Sequence, residues 1–304
     1  MPDWGVLRDA RIFVTGGTGF LGASLIESIV EADCGARLVL LTRDAAAFCA
    51  REPMLASRVD LVEGDVRSFS APGVRFTHVI HAASETTLQS AETIVEGTAR
   101  VLEFARHSGC GRMLFVSSGA VYGLQPAHLS RIPESYACRP STPYGQAKWA
   151  AEQACLDSGV PCVLARCFSF AGRRMPLDGG FAFGNFVRDA LARRAIEVCG
   201  DGSDVRSYLD AADCAEWLWT LLLHGTPGGA YNVGSDAPVT IAQLAQLVAT
   251  QAPCPVDVRI LGQEVSGVSR RYVPSIVKAR EELGLNIRFD LKSIISRAMQ
   301  SLAG

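Results

Sequence analysis

Short apolar runs alternate with helical patterns through the first half of the chain. The runs are apolar along their whole length rather than at every second position, as expected for parallel strands covered on both faces. A helical pattern follows the first run, from Phe20 to about Glu31. This alternation predicts an α/β fold with a doubly wound parallel sheet. The predicted strands are Arg11–Thr15, Leu38–Thr42, Val59–Val62, His78–His81, Met113–Ser117 and Cys162–Ala165.

The pattern becomes less regular after Arg166. Residues 172–184 are rich in Gly, Arg and Pro and predict a long loop. Beyond it, the spacing of apolar residues predicts helices at 186–194, 211–223 and 240–249, with a strand at 230–233. We therefore expect a first domain at 9–165 and a smaller C-terminal lobe at 166–304. Segments near 205–235 are expected to return to the first domain.

Composition and charge narrow the class of protein. Of the 304 residues, 48% are hydrophobic and 20% are charged, which is enough apolar material for a substantial core. The formal net charge is -2 without a long run of Lys or Arg, so a nucleic-acid partner is not expected. The ten Cys residues lack metal-ligand spacing and are interpreted as reduced thiols, with no metal site. Because neither a signal peptide nor a membrane-spanning run is recognised, a cytoplasmic protein is expected.

A glycine-rich turn connects the first predicted strand to the first helix. Gly16, Gly19 and Gly22 have the spacing G-x-x-G-x-x-G. Glycines let a pyrophosphate approach the backbone, and the helix N-terminus supplies N–H groups and partial positive charge. Because the turn lies between a strand and a helix, it predicts a Rossmann-type dinucleotide-binding domain at 9–165. The residues expected to bind the cofactor here are Gly16, Thr18, Gly19, Phe20, Leu21 and Gly22.

The end of the second strand bears on the choice of cofactor. Dinucleotide folds usually place a carboxylate there for the ribose hydroxyls, but this chain has Thr42 followed by Arg43. A guanidinium binds a 2′-phosphate in a fork, so NADP is favoured over NAD. The alternative is that Arg43 is only a solvated loop residue, and the neighbouring Asp44 complicates the choice. After the third strand, Asp65 and Val66 are expected to contact the adenine.

Three residues suggest catalysis of hydride transfer. Tyr144 and Lys148 stand four residues apart at the start of a predicted helix, so their side chains share one face. A nearby Lys charge is expected to lower the Tyr pKa, so that the phenol exchanges a proton with a reacting alcohol or carbonyl oxygen. Ser118 supplies a hydroxyl where the fifth strand ends, at the edge where doubly wound sheets bind ligands. We expect Ser118, Tyr144 and Lys148 to be the catalytic residues, with Lys148 also holding the nicotinamide ribose.

These motifs together resemble the extended short-chain dehydrogenase/reductase family, and more closely its nucleotide-sugar epimerase/dehydratase branch. The resemblance rests on the glycine turn, the catalytic trio and several further segments, and it runs from the first strand nearly to the C-terminus. The further segments are His81-Ala82-Ala83-Ser84, Ser117-Ser118, Val121-Tyr122-Gly123, Val198–Gly202, Val205–Leu209, Asp213 and Tyr231–Gly234.

The resemblance implies roles for residues on both sides of the site. It implies that His81, Ala82 and Ala83 line the cofactor, that Tyr144 and Lys148 contact it, and that the C-terminal lobe binds a nucleoside-diphosphate sugar. Groups expected to grip the diphosphate are Asn185, Arg206 and Arg271, whose alternatives are a helix cap and surface charge. Ser84, Glu85 and Thr86 are expected to face the sugar. The resemblance also implies a homodimer formed through helices near 91–107 and 144–158.

Departures from the family pattern narrow the reaction. The 4,6-dehydratases of the branch carry an Asp-Glu pair after the catalytic hydroxyl, and the decarboxylases a Glu, but this chain has Gly119 and Ala120. Neither residue transfers a proton, which argues against both reactions. Family asparagines are replaced by Ile94 and Ser169, so the substrate contacts of those asparagines are not carried over to this chain.

Three functions stay open from the sequence. The favoured one is an NADP(H)-dependent reductase of a 4-keto nucleotide sugar, and the second is a nucleotide-sugar 4-epimerase with tightly bound NAD. The third is a non-catalytic dinucleotide sensor, against which the intact trio argues.

Overall fold

The computed structural model describes residues 2–70, 73–84, 90–178, 180–262 and 270–302. The strands in these ranges are β1 Arg11–Thr15, β2 Arg37–Thr42, β3 Asp60–Glu63, β4 His78–His81, β5 Arg112–Ser118, β6 Cys162–Cys167, β7 Phe170–Ala171, β8 Ile196–Val198, β9 Val205–Arg206, β10 Leu209–Asp210, β11 Ala230–Val233, β12 Val239–Thr240, β13 Val258–Ile260 and β14 Arg271–Tyr272. The helices are α1 Phe20–Ala32, α2 Ala45–Arg51, α3 Pro53–Ala56, α4 Ser90–His107, α5 Pro143–Asp157, α6 Ala182–Leu191, α7 Ala211–His224, α8 Ile241–Gln251, α9 Val277–Leu283 and α10 Leu291–Leu302. Short 3₁₀ turns lie at Trp4–Leu7 and Gly119–Tyr122.

A seven-stranded parallel sheet organises the first domain. Its order is β11-β6-β5-β4-β1-β2-β3, and every neighbouring pair is parallel. Helices α1 and α7 pack on one face over an apolar core that includes Leu25, Trp217 and Trp219. Helices α4 and α5 pack together on the other face, over a core that includes Phe13 and Phe104. This confirms the predicted α/β fold with a Rossmann-type parallel sheet.

The C-terminal lobe has its own apolar core. Buried side chains of α6, α8 and α10 pack together with β8, and the lobe also contains short strand pairs β10-β7, β12-β9-β14 and β13-β8. The chain returns to the central sheet once more, because β11 pairs with β6 from Ala230↔Leu164 to Val233↔Cys167. The exact boundary near residue 165 stays a prediction.

The predicted loop at 172–184 is wrong at its end. Helix α6 begins at Ala182 and ends at Leu191, rather than spanning 186–194. Gly184, which suggested a loop, lies inside this helix, where a Cβ would collide with the Pro176 carbonyl oxygen. The glycine therefore serves close packing of the loop on the helix, and the buried Phe183 beside it contributes to the lobe core.

No helix within the described ranges is long and apolar enough to cross a membrane. The same ranges contain no cluster of His, Cys, Asp and Glu that would hold a metal ion.

Candidate active site

A cavity of about 1210 Å³ lies at the carboxyl ends of the central strands, between the sheet and the C-terminal lobe. This is the edge at which doubly wound sheets bind ligands. The glycine turn and the ends of β2 and β3 line one part of the cavity. Ser118, Tyr144 and Lys148 line another part, together with Arg206 and Tyr272 from the C-terminal lobe. The structure therefore brings the predicted cofactor turn and the predicted trio to one cavity.

The glycine turn forms a cradle that side chains would fill. Gly16 has φ +74°, and a Cβ there would lie 2.5 Å from the Ala82 carbonyl carbon. A Cβ on Gly22 would collide with the Gly16 carbonyl oxygen. Helix α1 begins at Phe20, and its cap residue Gly19 has no side chain to accept from the first N–H groups. The helix N-terminus and the bare backbone fit a pyrophosphate, as the sequence predicts.

Two guanidinium groups line the cavity beyond β2. Arg43 directly follows the strand, and Arg51 at the end of α2 donates to the Thr18 carbonyl oxygen in the glycine turn at 2.6 Å. Asp44 is engaged locally, because its carboxylate accepts from the Ala47 N–H at 2.8 Å and caps α2. Arg51 was not predicted. Arg51 is distant from the glycine turn in the sequence and reaches it only in the folded chain. The one signal available in the sequence is its position in the helix that follows β2.

Asp65 and Val66 also line the cavity, at the end of β3. Arg67 donates to the Asp65 carboxylate from its side chain at 2.8 Å and from its backbone at 2.9 Å. These hydrogen bonds hold the pKa of the Asp65 carboxyl below its usual value. An ionised Asp65 fits the predicted role of accepting from the adenine amine, which stays a prediction.

His81 lies behind the cavity wall, whereas Ala82, Ala83 and Ser84 line the cavity. The His81 ring is buried, with Nδ1 2.7 Å from the Thr15 hydroxyl and Nε2 3.0 Å from the Thr98 hydroxyl. Burial, with a smaller effect of Lys148, lowers the pKa of His81 to about 3. The neutral ring therefore joins β1, β4 and α4 beneath the cofactor cradle, so any action on the cofactor is indirect. Glu85 and Thr86 lie outside the described residues.

The catalytic trio meets where β5 ends and α5 begins. Thr142 caps α5 by accepting from the Gly145 N–H at 3.1 Å, and the helix begins at Pro143, which places Tyr144 in its first turn. The Tyr144 phenol lies beside the Ser84 and Ser118 hydroxyls, and all three residues line the cavity. Ser118 is itself a cap, and its Oγ accepts from the Ala120 N–H at 3.2 Å. Three hydroxyls are thus gathered on one wall of the cavity.

The expected effect of Lys148 on Tyr144 is wrong in this structure. Burial raises the pKa of Tyr144, against the smaller, lowering effect of the neighbouring Ser84 and Ser118 hydroxyls. The Lys148 ammonium instead donates to the Val116 carbonyl oxygen at 2.8 Å and lies 5.0 Å from the centre of the Phe115 ring. Burial lowers the pKa of Lys148 to about 8. The shared helix face is as predicted, but the ammonium is directed towards β5.

A buried ion pair supports the trio from below. Glu152, one helical turn after Lys148, pairs with Arg166 at 2.8 Å and accepts from the Ser117 hydroxyl at 2.5 Å. Arg166 also donates to the Tyr122 hydroxyl at 3.0 Å. Ser117 precedes Ser118, so this network links the end of β5 to α5 and β6. The spacing of Tyr144, Lys148 and Glu152, which repeats every four residues, is the signal that sequence reasoning missed.

The predicted diphosphate ligands do not share one location. Arg206 lines the cavity, where its guanidinium donates to the Arg270 carbonyl oxygen at 2.7 Å and pairs with Asp204 at 3.1 Å. Arg271 does not line the cavity, because its strand neighbour Tyr272 takes the inward position. Asn185 lies within α6 rather than at its start and is also outside the lining. Only Arg206 of the three faces the cavity, and the binding role of all three stays a prediction.

Comparison with known proteins agrees with this arrangement. The model of the NAD dependent epimerase/dehydratase family matches residues 12–234. UDP-glucuronic acid decarboxylase 3 of Arabidopsis thaliana is 27% identical over 301 residues, covering 93% of this chain and 86% of that protein. A dTDP-glucose 4,6-dehydratase of Mycolicibacterium smegmatis is 29% identical over 246 residues, covering 74% and 72%.

Solved structures share the fold over nearly the whole chain. UDP-glucose 4-epimerase from Thermotoga maritima, solved with UDP-glucose, has a TM-score of 0.81 at 20% identity and covers 96% of this chain and 98% of its own. RMD from Pseudomonas aeruginosa, complexed with NADPH, has a TM-score of 0.79 at 24% identity and covers 97% and 99%. With the family model spanning the cradle and the trio, the predicted resemblance is confirmed: the chain belongs to the NAD dependent epimerase/dehydratase family and is an enzyme of the extended short-chain dehydrogenase/reductase type.

Proposed function

We propose that the chain is an NADPH-dependent reductase acting on a 4-keto nucleotide sugar. The observation that carries the choice of cofactor is the pair Arg43 and Arg51 at the cavity, with the Asp44 carboxylate already capping a helix. Two guanidinium groups complement a 2′-phosphate, which is the group that distinguishes NADP from NAD. NADP is used mainly as a reductant, which favours net reduction over epimerisation.

The protonation state of the trio supports the reductive direction. When bound, the reduced nicotinamide supplies a hydride to the carbonyl carbon. The Tyr144 phenol, whose pKa is raised by burial, is protonated at neutral pH and donates to the carbonyl oxygen as the carbon–oxygen double bond becomes single. Ser118 lines the cavity beside Tyr144, so its hydroxyl shares the task of orienting that oxygen. Arg206, at the side of the second lobe, is suited to the diphosphate of the sugar nucleotide.

The residues after Ser118 support reduction without elimination or decarboxylation. Gly119 has no room for a side chain, since a Cβ there would lie 2.7 Å from both the Phe168 ring and the Tyr272 hydroxyl. The similar proteins include enzymes named as dehydratases and decarboxylases. In this chain neither Gly119 nor Ala120 carries a proton-transferring group. The proposal therefore limits the chemistry to hydride and proton transfer at one carbon and its oxygen.

The test is a spectrophotometric assay of purified protein with NADPH and a panel of 4-keto-6-deoxy nucleotide sugars. We expect oxidation of one NADPH per sugar reduced, loss of turnover in Tyr144→Phe, and retention of turnover in Tyr136→Phe, a tyrosine outside the cavity lining. Failure of every 4-keto substrate to oxidise NADPH would refute the reductase.

A 4-epimerase with a retained cofactor is the second candidate, and one observation favours it. The strap, defined here as residues 172–178, contributes Met175 and Pro176 to the lining of the cavity. Arg174 of the strap bonds to Glu27 of α1 and to Glu52, with its shortest contact to each at 2.7 Å. A clamped strap retains a cofactor that need not exchange at each turnover. Co-purification of dinucleotide, together with interconversion of two nucleotide sugars without consumption of reductant, would establish the epimerase.

A homodimer and a cytoplasmic location stay proposals. The helices expected at a dimer interface, α4 and α5, expose Val95 and Leu156 at 44% each. Sedimentation velocity at micromolar concentration tests the dimer, and a strict monomer would contradict it.

A further inference from the structure

The face of α5 that packs on the central sheet carries small apolar residues and two long polar ones. In this helix, which the structure describes throughout, the buried apolar side chains are Ala147, Ala151 and Cys155. The long buried residues are Lys148 and Glu152, which are 2% and 0% exposed. Small side chains form low ridges, which do little to fix how a helix lies along a strand. The polar contacts of Lys148 and Glu152 therefore set the position of α5 on β5.

Both polar side chains contact the end of β5 that leads into Ser118. The Lys148 ammonium donates to the Val116 carbonyl oxygen at 2.8 Å, and the Glu152 carboxylate accepts from the Ser117 hydroxyl at 2.5 Å. Residues four apart lie one above the other on a helix, so the two bonds leave α5 one turn apart. Two hydrogen bonds at separate points fix both the offset and the rotation of the helix against the strand.

Arg166 of β6 holds the Glu152 carboxylate in place. Its guanidinium donates to both carboxylate oxygens, from Nη2 at 2.8 Å and from Nε at 3.1 Å. Its Nη1 donates to the Tyr122 hydroxyl at 3.0 Å, and that hydroxyl donates to the Asn232 amide oxygen at 2.8 Å. All four residues are buried. The carboxylate is thereby fixed in one orientation where α5, β5 and β6 meet.

Stability alone is a poor explanation for this buried ion pair. Taking two charges out of water costs about as much free energy as their attraction returns, and apolar residues of similar volume are often at least as stable. The directional contacts of the pair do impose a geometry, however. Tyr144 lies one turn before Lys148, and Ser118 directly follows Ser117, so the position of α5 on β5 sets how the Tyr144 and Ser118 side chains meet at the cavity.

We propose that Glu152 is a positioning residue, which holds the catalytic ends of β5 and α5 at a fixed offset. This offset directs the Ser118 and Tyr144 hydroxyls to the same oxygen of the substrate. Neither Glu152 nor its partner Arg166 is among the described residues that line the cavity, so both act through other side chains. The inference rests on the proposed function for its kinetic readout only.

The first test replaces the network by apolar residues and measures stability and turnover together. In the apolar variant, Ser117→Ala/Glu152→Met/Arg166→Met, the midpoint of urea unfolding should equal or exceed that of wild type, because the buried charges are removed as a pair. In the NADPH assay we expect kcat to fall at least about tenfold, with KM changed less than about twofold, since the catalytic hydroxyls lose their alignment. Wild-type kcat, or a loss of kcat accompanied by a loss of stability, would overturn the proposal.

The matched control breaks a different buried ion pair, away from the cavity. Arg288 pairs at 2.6 Å with Asp213 of α7, whose side chain is fully buried, and neither residue is in the described lining of the cavity. Arg288→Met leaves that carboxylate without its cation, so it should lower the urea midpoint and leave kcat at the wild-type value. A loss of kcat as large as that of the apolar variant would mean that turnover follows the general integrity of the fold, and would overturn the role assigned to Glu152.

A comparison in two backgrounds tests whether Ser117 acts through Glu152. Ser117→Ala alone should lower kcat about threefold, because one hydrogen bond is lost while the ion pair remains. In a Glu152→Met/Arg166→Met background, the same substitution should cause no further loss. An equal fold-loss in both backgrounds would show that the serine acts independently of the carboxylate, which contradicts the proposal.

A spectroscopic readout separates failure of this inference from failure of the reductase. With 3-fluorotyrosine at the six tyrosine positions, the ¹⁹F resonance of Tyr144 is assigned by its absence in Tyr144→Phe. We expect this resonance to shift or broaden in the apolar variant and to keep its wild-type position in Arg288→Met. If wild type lacks turnover but the resonance changes in this way, the proposed function fails while the inference holds. An unchanged Tyr144 resonance in the apolar variant overturns the inference, whether or not wild type turns over.

Discussion

Replacing Lys148 by Met should stabilise the protein while abolishing its activity. The Lys148 side chain is 2% exposed, and burial lowers its pKa from 10.5 to about 8. A shift of this size means that the buried charge of Lys148 lowers the free energy of unfolding by roughly 3 kcal/mol at neutral pH. Met fills a similar volume without a charge. Losing the bond to the Val116 carbonyl oxygen and the contact with Phe115 costs roughly 1 kcal/mol each. The net gain is therefore about 1 kcal/mol at pH 7.

The pH dependence identifies the cause. Between the folded pKa near 8 and the unfolded value of 10.5, the unfolded chain binds more protons at Lys148, so wild-type stability rises with pH there. The advantage of Lys148→Met should consequently shrink by about 1.4 kcal/mol per pH unit above pH 8 and turn into a deficit. The assay is urea unfolding of cofactor-free protein at several values between pH 6.5 and 9.5.

The chain offers a matched control. Lys278 makes the same two kinds of contact, donating to the Ala230 carbonyl oxygen at 2.9 Å and lying 4.2 Å from the Tyr231 ring centre, but it is only half-buried. Lys278→Met should lose these contacts without relieving a buried charge, and so should not stabilise the protein at pH 7. A Lys148→Met variant that is less stable than wild type by the same amount at every pH would refute the reasoning.

Three further predictions concern the cofactor and the acid limit of stability. Arg51→Ala should weaken NADPH binding about tenfold and NADH binding less, as measured by fluorescence titration. Arg58→Ala, at the surface, is the control, and equal weakening of both cofactors by Arg51→Ala would contradict the prediction. Arg174→Ala should speed dissociation of bound cofactor about tenfold in stopped flow, whereas the exposed Arg173→Ala should not, and identical rates would show that the strap does not gate release. Because the pKa of His81 is lowered to about 3, unfolding free energy should be lost as pH falls below 6.5, by about 1.4 kcal/mol per unit. His81→Asn should show a shallower pH dependence in urea unfolding, and parallel curves would exclude His81 as the cause.

The central strands could be predicted closely because their apolar runs are uninterrupted. The observed start of β1 and the observed ends of β2 and β5 lie within one residue of the predicted boundaries. These strands are buried on both faces, so their apolar runs are easily recognised in the sequence. The start of helix α6 was harder to predict from the sequence. Gly184 favours a loop in the sequence pattern. The structure explains a glycine within the helix, because the Pro176 carbonyl oxygen lies where a Cβ on Gly184 would be.

The candidate site could be predicted where local spacing determines geometry. The glycine turn lies between one strand and the next helix, and Tyr144 and Lys148 lie on a single helix. The structure brings both to the cavity. Arg51 and Tyr272 were missed because each reaches the site through the folded chain. Tyr272 lies 154 residues after Ser118 in the sequence. Side chains alternate along β14, and which of Arg271 and Tyr272 faces the cavity depends on how the C-terminal lobe packs, which the sequence pattern does not indicate.

The electrostatic character of the cavity connects these findings. Among its described lining residues, the carboxylates are Asp44 and Asp65, at the ends of β2 and β3, whereas the wall at Ser118 carries hydroxyls and one buried ammonium. Burial raises the pKa of Tyr144 and of Tyr272 and lowers that of Lys148, so each group is driven towards its neutral form. A wall of neutral hydroxyls is suited to donating hydrogen bonds to an oxygen that gains negative charge, as a carbonyl does when hydride reaches its carbon. It is poorly suited to removing a proton from carbon, which elimination requires. The same burial that makes Lys148 costly to the fold is therefore consistent with the reduction proposed for this site.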